Sequence, residues 1–212
     1  MKSNEEIFNE IKKQLLSIEY VNPDLIPNID LYMDQVTTFM DKHLFSPDKS
    51  EDEHIITKTM INNYAKSELI PPPVKKKYSK DHMLMLILIH YLKNFLSIGD
   101  INSLFKPIKE NFINNSNEIN LEYIYQEIFN EYNKQLPDFM QALDKKYNAS
   151  KSSFIGLPDE QAQTLQLFSL VCSISLDIYI QKYVVESLIE QINSQYTSKD
   201  NNNKTSKKEK KE

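Results

Sequence analysis

The sequence predicts a mainly α protein: a winged helix-turn-helix module followed by a C-terminal helical region with one long helix. Three observations predict it. Only two Gly occur in 212 residues, which disfavours multi-turn β architectures and glycine-rich phosphate loops, because both need φ > 0 or close backbone approach. Apolar side chains recur at helical spacing in segments divided by Pro, Asn and Ser. Between Ile55 and Leu104 a short polar helix, three prolines, three lysines and a strongly apolar helix follow one another. That is the order of a helix-turn-helix with a small wing.

Ser3-Asn4-Glu5-Glu6 has capping-box spacing, and Ile7, Phe8, Ile11 and Leu15 follow at helical intervals, so a first helix runs to about Tyr20 before Asn22-Pro23 ends it. A second helix starts near Asn28, with Asp30 in its first turn and Ile29, Met33, Val36, Phe39, Met40 and Leu44 as its apolar stripe. The polar run Ser46 to Glu53 reads as a loop. Over residues 57–67, Met60, Ile61 and Tyr64 share a core-facing side, while Lys58, Asn62 and Lys66 repeat at i+4 on another. Ser79 caps a long helix with Met83, Leu86, Ile87, Ile89 and Leu92 inside. Ser97-Ile98-Gly99-Asp100-Ile101 restarts a short helix reaching Phe105, and Pro107 closes the module.

One further helix covers about 118–135, and a shorter one follows Pro137 through Leu143. After the polar stretch Asn148 to Ser153, Pro158-Asp159-Glu160 opens a long helix to about Tyr196. Thr197 to Glu212 is charged and Asn-rich, with almost nothing to bury, and is expected to be disordered. The expected divisions are an N-terminal helix (1–24), the winged module (25–107), a C-terminal helical region (108–196) and the tail (197–212).

The last helix contains a heptad. Leu167, Val171, Ile174, Ile178, Gln181, Val185, Leu188 and Ile192 alternate spacings of 4 and 3. Val171, Ile174, Ile178, Val185, Leu188 and Ile192 are therefore candidate dimerisation residues. Against a simple coiled coil, Leu165, Phe168, Leu170, Cys172, Leu176, Tyr179 and Tyr183 widen the apolar surface beyond two stripes, as in a helix buried within its own domain.

The net charge of −5 is uneven. Residues 1–53 hold 5 Lys against 12 acids, whereas residues 54–82 hold 6 Lys against 2 acids. An acidic body repels DNA except at such an island. Within it, Lys75-Lys76-Lys77 and Lys80 suit a phosphate clamp, and Lys58, Thr59, Asn62, Asn63 and Lys66 suit a groove-reading face. Every basic residue other than His is Lys, so bidentate guanidinium readout is absent and polar readout falls to Asn, Gln, Lys, Ser or Thr. Double-stranded DNA and a second copy of the chain are the expected partners.

Cys172 is alone, which excludes an intrachain disulfide and a multi-Cys zinc site. His82 and His90 lie about two turns apart on one helix, and His43 and His54 stand elsewhere, with no paired ligand spacing. No nucleophile motif, His-Glu-x-x-His or Gly-rich loop occurs. The expectations are no catalytic residues, no metal and no cofactor. The N-terminus is acidic and amphipathic, and Leu165 to Ile180 is interrupted by Gln166, Ser169, Ser173, Ser175 and Asp177, so a cytoplasmic protein without a membrane span is expected.

Tyr64 to Ile101 resembles the DNA-binding module of the mercury-resistance-regulator (MerR) family. Tyr64-Ala65-Lys66-Ser67-Glu68-Leu69-Ile70-Pro71-Pro72 is similar to that family's recognition-helix end and wing approach. Tyr78-Ser79-Lys80-Asp81-His82-Met83 is similar to its tyrosine-capped third helix, and Leu92-Lys93 and Ser97-Ile98-Gly99-Asp100-Ile101 to the motifs that follow. Asn62 and Asn63 stand where that family usually has Arg and Tyr, and Glu68 replaces its turn glycine. Over a longer span, Ile26 to Val36, Thr57 to Tyr64 and Pro71 to Ser79 resemble bacterial domain-of-unknown-function family 1836. The MerR-like resemblance implies a winged helix-turn-helix and a DNA-binding transcription regulator. The alternative reading is a non-catalytic protein-interaction adaptor that retains the winged fold.

Overall fold

Seven helices and two short strands make up the described residues of the computed structural model, which are 2–18, 20–45, 54–113 and 119–208. The protein is mainly α, as its glycine-poor, helically periodic sequence requires. In chain order the elements are α1 (Asn4–Leu16), β1 (Leu31–Tyr32), α2 (Met33–His43), α3 (Lys58–Lys66), β2 (Lys77–Tyr78), α4 (Lys80–Leu92), α5 (Ile98–Asn111), α6 (Leu121–Lys151) and α7 (Asp159–Lys208). A 3-10 turn, Pro23–Leu25, follows α1. The chain forms two compact units, Val21–Glu127 with Val184–Glu212, and Met1–Tyr20 with Ile128–Tyr183.

In the first of these units α4 is apolar on every side. Met83, Leu84, Met85, Leu86, Ile87 and Ile89 are all buried, as expected of a helix surrounded by its own protein. Val36 and Met40 of α2, Ile61 and Tyr64 of α3, Ile101 and Phe105 of α5, and Leu121 and Tyr125 of α6 join the same core. The Tyr125 hydroxyl, buried with its ring, donates to the Val21 carbonyl at 2.9 Å, which removes the cost of an unpaired buried O–H. β1 and β2 form an antiparallel pair, Leu31 opposite Tyr78 and Tyr32 opposite Lys77.

In the other unit α1 is held by the expected box: the Ser3 hydroxyl accepts from the Glu6 amide and the Glu6 carboxylate accepts from the Ser3 amide. Phe8 stacks on Tyr147 of α6, ring centroids 4.2 Å apart, and both pack with Leu143 and with Leu170 of α7. Leu15 and Ile174 close over this cluster. Ion pairs Lys12–Asp144 (2.5 Å) and Lys146–Asp177 (2.9 Å) ring it.

Several sequence expectations need correction. α1 stops at Leu16 rather than near Tyr20. α2 begins at Met33, not Asn28, because Leu31 and Tyr32 are drawn into the strand pair; Ile29 is left 68 % exposed instead of joining the apolar stripe. α5 does not end at Phe105 but runs through Pro107 to Asn111, and Pro137 does not divide α6, which is one helix of 31 residues. An interior Pro costs about 3 kcal/mol. Pro137 itself is exposed, and beyond it Leu143 and Tyr147 of the same helix are buried in the Phe8 cluster, which holds that part of α6 in place. The stretch from Asn148 is helical to Lys151 rather than loop. α7 continues to Lys208, past the expected start of the disordered tail. Over Asp159–Tyr196 it is long and apolar enough to cross a membrane by length and composition alone. The loop expected at Ser46 to Glu53 lies outside the described residues.

Candidate nucleic-acid interface

Thr57 starts α3, its hydroxyl accepting from the Met60 amide at 3.2 Å. Ile61 and Tyr64 turn inward, and Lys58, Thr59, Asn62, Asn63 and Lys66 are all exposed on the other sides of the helix. The polar face predicted from the i+4 repeat is therefore open to solvent. α3 ends at a left-handed residue, Glu68, with φ 57°, and the Leu69 and Ile70 amides both reach back to the Tyr64 carbonyl at 2.8 and 3.3 Å. Gly is the usual occupant of such a position because it has no Cβ to clash. Here the Lys109 ammonium of α5 binds the Glu68 carbonyl and the Asn102 side-chain oxygen, fixing the strained corner. Burial pulls Lys109 below the usual lysine range.

Leu69 and Ile70, fully buried, anchor the chain before Pro71-Pro72-Pro73. A two-residue hairpin follows. Val74 and Lys77 exchange both backbone hydrogen bonds, at 3.1 and 2.9 Å, and Lys75 and Lys76 at its tip have φ of 50° and 64°. Two consecutive positive φ values are the signature of a type I′ turn, which ordinarily selects Asn-Gly. This chain places two exposed lysines there.

Contacts with α2 and β1 bring the two basic segments together. Lys58 at the start of α3 pairs with Asp34 in the first turn of α2. Two residues earlier, Tyr32 pairs in the strand ladder with Lys77, whose ammonium stands 5.1 Å from the Tyr32 ring centroid. The first turn of α3 and the lysine hairpin thus meet at one corner, Tyr32–Asp34. Lys66 lies eight residues along α3 from Lys58. Lys80 is not part of the corner: it is half-buried and paired with Glu122 of α6 at 2.8 Å.

The ring of His82 ties the hairpin to α4. Its Nδ1 accepts from the Ser79 amide at 3.1 Å, and its Nε2 faces the Pro71 carbonyl at 3.2 Å, so the neutral ring takes the place that Glu or Gln holds in an ordinary capping box. Burial lowers the His82 pKa, opposed by the Pro71 and Pro72 carbonyls and by Asp81 and Asp30. Sequence reasoning missed Tyr32, Asp34, His82 and Lys109 as organisers of this region. Only Ser79-x-x-His82 carried a local signal, in the capping-box spacing.

The six heptad residues differ in burial. Ile174 packs on the Phe8 cluster, Val185 and Ile192 are half-buried, and Val171, Ile178 and Leu188 are exposed. Conversely Phe168, Leu176, Tyr179 and Tyr183, which the sequence suggests widen a core face, are exposed. Among the described residues no group of three His, Cys, Asp or Glu side chains is placed to hold a metal ion.

A family model described as Domain of unknown function (DUF1836) matches residues 21–129. No curated protein and no solved structure matches the chain.

Proposed function

The chain belongs to the DUF1836 family, and from that premise we propose that it is a DNA-binding transcription regulator. Its matched segment holds a MerR-like winged helix-turn-helix in which α3 reads the major groove and the 74–77 hairpin is a shortened wing. The observation that carries this reading is the tip of the hairpin. A turn whose geometry favours Asn-Gly holds two lysines, at about 1–2 kcal/mol per left-handed residue. Strain of that kind is retained where the side chains serve a purpose, and here they supply charge beside an exposed helix face in an acidic protein.

In this reading Lys75, Lys76 and Lys77 contact phosphates and carry affinity without sequence information. Asn62 and Asn63 present amides of the kind that pair with adenine edges. Lys58 exchanges Asp34 for phosphate when DNA arrives. The protein acts as a homodimer in the cytoplasm, matching a two-fold operator.

Lys75→Asn/Lys76→Gly removes both charges while keeping the turn. The variant is expected to bind every DNA sequence more weakly, with a flatter dependence on salt concentration. Retained affinity and slope in a folded variant would refute the clamp. Recovery of genomic DNA crosslinked to the tagged native protein is expected to give a small set of sharp sites. The second reading, a protein-interaction adaptor, draws on the groove beside α2 in which Leu25, Pro27, Leu31 and Phe39 are rimmed by polar side chains, Asp34 and Lys42 among them. It is favoured instead if no DNA is recovered above background.

A further inference from the structure

The exposed apolar surface of α7 in the unit that contains α1 is broad, with Val171 and Ile178 61 and 56 % exposed on one flank. Its aromatic part is a stripe: Phe168, the half-buried Cys172, Leu176, Tyr179 and Tyr183 are spaced 4, 4, 3 and 4 residues apart along the helix. At about 100° per residue this stripe lies diametrically opposite Leu170 and Ile174, the side chains that pack on Phe8, Leu143 and Tyr147. Phe168, Leu176, Tyr179 and Tyr183 are 64, 62, 73 and 69 % exposed, and Ile180 beside them 61 %. We propose that a second copy of this chain covers the stripe, so that the dimer forms through the aromatic face of α7 and not through the heptad seam.

The occupant follows from charge and area. No charged residue stands on the stripe between Phe168 and Tyr183. Asp177 lies on the packed side, paired with Lys146 of α6, and Lys182 projects to one flank. A neutral apolar face is complementary to itself, which is what a two-fold interface requires. Aromatic side chains bury about 150–250 Å² each when covered, so the three exposed here hold about 300–500 Å². Leu176, Ile180 and the flanking residues bring the face towards the roughly 800 Å² per partner of a standard interface.

A bilayer is the competing occupant, given the length and hydropathy of α7. It fits less well. The opposite face of the same turns is committed to α1 and α6, whose Lys12, Asp144 and Lys146 would be carried into the lipid.

The inference rests on the homodimer in the proposed function but not on DNA binding, and its test uses no DNA. Sedimentation equilibrium of the full chain is expected to give a dimer. Leu176→Asp/Tyr179→Asp is expected to give a monomer with an unchanged helical circular dichroism spectrum, and Val171→Asp/Ile178→Asp is expected to remain dimeric. A wild-type monomer at all accessible concentrations overturns both the stripe and the homodimer. A dimer broken by the second variant but not the first overturns the stripe and leaves the homodimer standing. Loss of helix in the first variant means that the face is covered within the monomer and also overturns the proposal, as does co-flotation of the wild type with phosphatidylcholine vesicles.

Discussion

Lys75, Lys76 and Glu68 each hold a left-handed backbone conformation with a full side chain in place. Relief of that strain is measurable apart from function. Lys75→Asn/Lys76→Gly is expected to raise the unfolding free energy in urea by about 1–2 kcal/mol, because Gly has no Cβ to clash and Asn tolerates the region best after it. Glu68→Gly is expected to add about 1 kcal/mol for the same reason. Its carbonyl bond to Lys109 is made by the backbone and survives the substitution. A variant stabilised in urea yet weakened on DNA would separate the purpose of the lysines from their conformational cost.

Three imidazoles at this scale carry a pH dependence. Burial lowers the pKa of His43, His82 and His90 in the folded chain. Below about pH 6.5, the ordinary value, the unfolded chain binds protons that the folded rings do not. Stability is therefore full above about pH 6.5 and falls as the pH drops towards the folded values. His82→Gln keeps an acceptor for the Ser79 amide and does not titrate, so its urea midpoint is expected to fall less between neutral and mildly acid pH than that of the wild type. An identical fall would place the acid sensitivity elsewhere.

At the scale of elements, α6 carries an exposed proline within its length. Pro137→Ala restores the missing amide and removes the ring clash, and is expected to stabilise the helix by up to about 3 kcal/mol, read as a higher thermal midpoint. A midpoint that falls would show that the proline is accommodated without cost. Phe8→Ala acts in the opposite direction. It removes the ring stacked on Tyr147 and opens a cavity beside Leu143 and Leu170, at about 3–5 kcal/mol.

At the scale of the whole molecule, the chain is acidic overall, with residues 54–82 and 197–212 basic. In the proposed function the first of these meets phosphate at the Tyr32–Asp34 corner. Asp34 stands within that corner as the counter-charge of Lys58. Asp34→Asn is expected to tighten binding to specific and random DNA alike, because it frees a lysine and removes a repulsive carboxylate. Filter binding on both kinds of DNA checks this, and unchanged affinity would place Lys58 outside the contact surface.

The sequence by itself determined the features written in local chemistry. The helical class followed from scarce glycine and from apolar spacing. The cap at Ser3, a helix over about residues 57–67, and the inward side of Ile61 and Tyr64 followed from rules that span four residues. The exposed face of Lys58, Thr59, Asn62, Asn63 and Lys66 was legible for the same reason. Tertiary structure decided what depends on partners far along the chain. Pairing with Tyr78 and Lys77 turned Leu31 and Tyr32 from helix into strand. Burial of Leu143 and Tyr147 against Phe8 held α6 beyond Pro137, and Glu122 took Lys80 away from the basic corner. Most plainly, α7 is apolar on nearly every side, so its periodicity could not say which face is inside. Phe8, Leu143 and Tyr147 chose Leu170 and Ile174, and that choice left Phe168, Leu176, Tyr179 and Tyr183 facing outward.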